Sequence, residues 1–186
     1  MPSPSSIPAA LRLIRLACLG RPQPFTPAAL APGLGSAAAP PATIPRPYAA
    51  FLRLCGGLVT DTGTVRLLGP AAASMRVFGD GEDLLPGGDA RWFRFGEVAG
   101  NPLCLERATG RVWWFGDLDA VWFTAPHAFA PLCPSFDVFF LRLLCGSWYG
   151  TVAPVGRDSA WWRMVLALGW AEARPSPTAS DDLAVR

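Results

Sequence analysis

Between Thr64 and Phe123 the chain breaks into a run of brief apolar segments, and this run constrains the fold more than any other feature. The segments are TVRLLG, SMRVFG, RWFRFG, PLCLE, RVWWF and AVWF, rich in Val and aromatic residues and punctuated by Gly, Asp and Pro. Each has the length and composition of a short strand. No long helix separates them, so the crossover that parallel pairing needs is missing. Within RWFRF, Arg91, Phe93 and Phe95 fall on one face and Trp92 and Arg94 on the other. Within VWWF, Trp113 and Trp114 point to opposite faces, so both are buried only if both faces of the sheet are covered. The expected class is α+β: a central, mostly antiparallel sheet of about six short strands flanked by helices.

Helical signals lie on either side of this run. In IPRPYAAFLRLCGG, Tyr48, Phe51, Leu52 and Cys55 follow the i, i+3, i+4, i+7 spacing, the prolines suit a first turn, and Gly56-Gly57 suits a left-handed stop. PSFDVFFLRLLCGSWYG offers Ser135 as N-cap, Asp137 at the positive dipole end, and an apolar stripe of Phe136, Phe139, Phe140, Leu143 and Leu144. Val138 and Leu141 widen that stripe until the helix is expected to be almost wholly buried. RDSAWWRMVLALGW starts a last helix at Asp158 or Ser159. These elements give one domain over residues 44–171. Residues 1–43 form a Pro/Ala-rich arm with one candidate helix, Pro8–Gly20, and residues 20–43 read as a linker by composition. Residues 172–186 read as a disordered tail. Arg12 and Arg15 interrupt the first apolar stretch, which is not the pattern of a secretory leader.

The chain is 51% hydrophobic and only 16% charged, which calls for a large core or an apolar face that meets a partner. Its apolar runs are broken well short of the ~18 residues a membrane helix needs. Net charge is +2 and the arginines are scattered, whereas a nucleic-acid binder clusters them. The expectation is no nucleic acid and no membrane. Five cysteines with no CxxC spacing read as buried free thiols in a reducing cytosol, with neither a zinc site nor a disulfide scaffold.

Candidate sites are few. Gly100-Asn101 is a good left-handed turn pair; its functional alternative, an oxyanion donor, needs a nucleophile such as Cys104 and a base such as His127, the one histidine. Cys104 sits mid-strand between two leucines, where burial is the expected fate. Asp80, Glu82, Asp83 and Asp89 crowd the segment GDGEDLLPGGD, which lacks the spacing of a calcium loop. They read as a solvated loop or as an acidic edge facing basic residues of a partner, extended by Asp117 and Asp119. Trp114 is the candidate aromatic anchor. No metal or cofactor is expected.

In order and spacing, these segments resemble the Smi1/Knr4 superfamily, also called SUKH. The matching positions are Tyr48, Gly56 and Gly57 in the first helix; Gly96, Gly100, Asn101 and Glu106 in the central motif; Gly110 in the hairpin turn; and Ser135, Phe136 and Phe139 in the last motif. Cys55 replaces the family's usual Asn, and Glu106 stands where Asp is commoner. The match covers roughly residues 44–150. The resemblance implies a Smi1/Knr4-like fold and a non-catalytic function: a cytoplasmic immunity protein, monomeric or weakly dimeric, that binds a cognate toxin domain and blocks its active site. Two alternatives stand beside it: a regulatory scaffold for cellular proteins, and a small hydrolase using Cys104 and His127.

Overall fold

The computed structural model describes residues 4–21, 25–35, 38–79, 85–119, 121–124 and 126–172. Among these, seven strands form one sheet whose spatial order repeats the chain order, and every neighbouring pair is antiparallel. The strands are β1 (Ala28–Pro32), β2 (Cys55–Thr60), β3 (Val65–Leu67), β4 (Trp92–Val98), β5 (Asn101–Glu106), β6 (Val112–Phe115) and β7 (Phe129–Cys133). The expected α+β architecture is present. Four of the six expected strands are there, as β3 to β6.

SMRVFG and AVWF are not strands: residues 74–79 and 121–124 run as turns and irregular chain. Phe78 and Trp122 still find cover, their rings meeting edge to face at 5.7 Å. β1, β2 and β7 were not expected. β1 and β7 carry Ala and Pro where strand formers would stand, and both lie at sheet edges, where a missing N–H costs no ladder bond.

Both faces of the sheet are covered. On the first face Phe93, Phe95, Leu103, Leu105 and Val112 meet the helices in the main core. On the second, Trp92, Cys104 and Phe115 join Phe78 and Leu85 in a smaller one. Alternation along β5 and β6 produces this division: Leu103 and Leu105 face one way and Cys104 the other; Val112 and Trp114 oppose Trp113 and Phe115. Trp113 and Trp114 are both half-buried, on opposite faces, as double coverage requires.

The helices on the first face are α1 (Ile7–Cys18), α2 (Arg46–Leu54), α5 (Phe136–Val138) and α7 (Ala160–Ala167); α3 (Pro70–Ala73), α4 (Gly88–Arg91) and α6 (Tyr149–Val152) are single turns. One boundary differs from expectation. The arm is no appendage: α1 buries Ala10, Leu11 and Ile14 in the main core, and β1 pairs with β2 from Ala28 to Pro32. Composition hid this, because the strand is held by pairing and burial and not by propensity. Of the expected tail, residues 173–186 lie outside the described residues.

Gly56-Gly57 does not cap α2. The helix passes straight into β2 through extended Cys55. The glycines are needed for close approach: a Cβ on Gly56 would lie 2.3 Å from the Pro32 carbonyl oxygen, and Gly57, at φ 139°, packs against Leu67 and Gly69. Tyr48 on α2 is fully buried and its hydroxyl donates to the Leu68 carbonyl at 2.5 Å.

Ser135 caps α5 as expected, its hydroxyl accepting from the Val138 N–H at 3.3 Å. Beyond that turn, Phe139–Leu144 winds as a π-helix. The wider turn buries Phe139, Phe140, Leu143 and Leu144 together and leaves Asp137 and Arg142 exposed. Its free carbonyls are claimed from outside: the Trp161 indole N–H donates to Leu144 O at 2.9 Å. Ser159 caps α7, assisted by Asp61 from the β2–β3 turn, whose carboxylate accepts from the N–H groups of Ala160 at 2.6 Å and Trp161 at 3.2 Å.

Candidate functional site

The turn between β4 and β5 answers the question that Gly100-Asn101 raises. The two positive-φ residues are Ala99 (φ 50°) and Gly100 (φ 85°), while Asn101 already pairs with Val98 inside the ladder. Two successive left-handed residues make a tight hairpin turn of the primed kind. Asn101 is therefore not a turn residue. It is 5% exposed, and its amide works as a strut. Its Nδ2–H donates to the Asp117 carbonyl at 3.3 Å, and its Oδ1 accepts from the Trp122 N–H at 3.1 Å.

Those two bonds hold both limbs of the loop between β6 and β7. The Gly116 N–H donates to Ala128 O at 3.1 Å and closes the loop's base. Trp122 wedges inward between Phe78 and Phe115, at 5.7 and 6.0 Å between ring centroids. A tight turn follows, with the Thr124 N–H and hydroxyl both donating to Val121 O at 2.9 and 2.7 Å. The Asp117 carboxylate accepts from the Asp119 N–H at 3.1 Å and stiffens the other limb. Turned outward from this frame are Val121, 49% exposed, and Phe123, 58% exposed. Asp117 and Asp119 are exposed beside them. Such a loop offers a partner an apolar anchor with an acidic flank, and little chain entropy is left to lose on docking.

The expected site residues distribute as follows. Asp117 and Asp119 are in this loop. Asp80, Glu82 and Asp83 lie outside the described residues. Asp89 faces inward: its carboxylate accepts from the backbone N–H groups of Val77 and Phe78 at 3.0 to 3.2 Å and sits 3.8 Å from Arg76 Nε. It ties the second-face loop to α4 and does not belong to an open acidic edge. It also precedes the start of β4, whereas Asp117 follows the end of β6; in antiparallel strands these are opposite ends. Trp114 packs against the main core and is not a projecting anchor. Val121 and Phe123, absent from the sequence expectations, are the exposed apolar pair of this loop. Their signal was present in AVWF, where strand-like residues sit between Asp119 and Pro126 with no room for a ladder.

Cys104 is completely buried, and desolvation drives its thiol pKa far up. Cys133 and Cys145 are shifted the same way by burial, Cys133 to about 12. His127 is exposed in a turn of 3-10 helix, and among the described residues no hydrogen bond joins it to Cys104. All five cysteines are free thiols, and among the described residues no group of three His, Cys, Asp or Glu converges as a metal site. No helix among them is long and apolar enough to cross a membrane.

Glu106 closes the other end of β5. It accepts from Thr109 Oγ1 at 2.7 Å and from Arg91 Nε and Nη2 at 3.0 and 2.8 Å, pinning the turn at Gly110 to α4. The Thr109 hydroxyl, then the Arg91 guanidinium, hold its carboxyl below the usual carboxylate range. A carboxylate with a lowered folded pKa contributes stability above its unfolded pKa of about 4.3 and loses it as pH falls through the folded value. Glu106→Gln is therefore expected to lower the urea midpoint at neutral pH. The gap from wild type closes as the pH drops below about 4, since protonation gives wild type the same uncharged group. A gap independent of pH would assign the effect to shape instead of charge.

The chain matches no protein-family model, no curated protein and no solved structure.

Proposed function

We propose that this chain is a non-catalytic binding protein of the immunity type, acting in the reducing cytoplasm on a toxin domain. The single observation that carries the reading is the braced loop with Val121 and Phe123 exposed beside Asp117 and Asp119. The resemblance to the Smi1/Knr4 superfamily supports the class of partner. The acidic flank favours a toxin with basic residues around its active site, where opposite charges speed encounter and fix orientation. Covering that site with the loop blocks it without chemistry, and the reading assigns no reaction to Cys104 or His127.

Co-expression with the toxin domain encoded beside its gene tests this. Wild-type protein is expected to restore growth. Phe123→Ala is expected to weaken binding by about 30-fold or more, the effect of losing an interface hot spot. Asp119→Lys is expected to slow association in low salt. Failure of the wild type to rescue would sink the immunity reading; rescue and affinity untouched by both variants would move the interface off this loop.

A further inference from the structure

We propose a second binding site on this molecule, an arginine-lined cavity that takes a small oxyanion, a phosphate or a carboxylate, and is separate from the loop just described. The cavity lies beside the start of β4, between the turn that follows α3 and α4, and holds about 260 Å³. That is just under the ~300 Å³ at which sites enclose whole small-molecule ligands, so it suits a compact anion or a single head group. Among the described residues, three arginines, Arg76, Arg94 and Arg107, line it with one carboxylate, Asp89.

The charge balance carries the argument. Asp89 is already engaged by two backbone N–H groups and by Arg76. Arg107 donates through Nε to the Asp89 carbonyl at 3.0 Å and through Nη1 to the Thr43 carbonyl at 2.7 Å. Carbonyls satisfy hydrogens but cancel no charge, and the guanidinium is further oriented over the Phe93 ring at 5.4 Å. Arg94 is more enclosed, with only 19% of its side chain exposed. Among the described residues its one hydrogen bond is a long 3.4 Å contact from Nη1 to the Glu97 carboxylate, which is also its counter-charge, and its Nε has no partner although it is shut from solvent. A guanidinium carries five donors and is costly to enclose without a full set of acceptors. Arg107, with no carboxylate partner among the described residues, and Arg94, whose Nε lacks an acceptor, give one small cavity a donor set of the kind that binds phosphate or carboxylate oxygens.

The test is titration of the full chain, in low-salt buffer free of oxyanions, with inorganic phosphate, with acetate and with chloride, followed by calorimetry and by the Arg side-chain N–H resonances. Phosphate or acetate is expected to bind saturably and to shift the Arg94 and Arg107 signals, with chloride inert; the stronger of the two identifies which oxyanion the cavity takes. Arg107→Met and Arg94→Gln are each expected to weaken binding about tenfold or more. Phosphate and acetate acting only as chloride does, or shifting other arginines alone, would overturn the proposal. Should Arg94→Gln fail to fold, the wild-type resonances and Arg107→Met still decide it. Phe123→Ala leaves this binding unchanged, so its outcome is independent of the loop's function.

Discussion

Removal of residues 1–43 is expected to abolish cooperative folding. That segment contains α1, whose Ile7, Leu11 and Ile14 are at most 9% exposed in the main core. Full burial of each such side chain is worth about 1.5–3 kcal/mol, so the three together approach the ~5–15 kcal/mol by which a whole domain is stable. The loss does not stop there. β1 leaves with the segment, and the whole of β2 becomes an open edge. The Leu34 and Gly35 N–H groups also leave the carbonyls of Leu52 and Arg53 at the end of α2 without donors. The truncated protein is expected to show no urea transition and no near-ultraviolet aromatic signal. A sharp transition near the wild-type midpoint would make the segment the detachable arm that its composition suggests.

Phe136→Ala is expected to cost about 3–5 kcal/mol, the range for deleting a buried aromatic ring from a core that cannot collapse. Phe136 is fully buried, and its ring lies within 5.3 to 5.5 Å, centroid to centroid, of Tyr48, Phe51 and Phe95. Those partners come from α2 and β4, so the cavity would open where helix and sheet meet and no single element can shift to fill it. Edge-to-face geometry with Tyr48 and Phe95, at 88° in both pairs, adds to what area alone contributes. Equilibrium urea unfolding measures the effect. Arg142→Ala, on the exposed side of the same helical segment, is the control and is expected to stay within about 0.5 kcal/mol of wild type. A Phe136→Ala cost below about 1.5 kcal/mol would mean the ring cluster repacks freely.

What could be read from the sequence follows from which forces are local. The capping serine Ser135, the Thr109-Gly110 turn and the alternation of β6 are set by neighbours within a few residues, and each stands as expected; of the two candidate starts of the last helix, Ser159 is the cap. Cys104 is buried mid-strand for the same reason. β1 was illegible because Ala28–Pro32 has no strand propensity and gains its shape from a partner more than twenty residues away. SMRVFG and AVWF misled in the opposite sense: their residues are strand-like, but they cover the second face as irregular chain. Gly56-Gly57 signalled a turn where the need was close approach. At the candidate site, Asp117 and Asp119 were legible as acidic residues in a loop. The strut role of Asn101 was not, because it depends on bonds to Asp117 and Trp122, which only the folded hairpin brings near.

The identity of sheet order and chain order has a consequence for biosynthesis. Each strand emerging from the ribosome finds its partner in the strand made just before it, so the ladder can grow as the chain is translated. Closure of the main core cannot keep pace, because Phe136, Phe139 and Phe140 come after the last strand. A nascent chain stalled after β6 thus displays a nearly complete sheet whose first face is covered only by α1 and α2, leaving greasy surface of the kind that holdase chaperones engage.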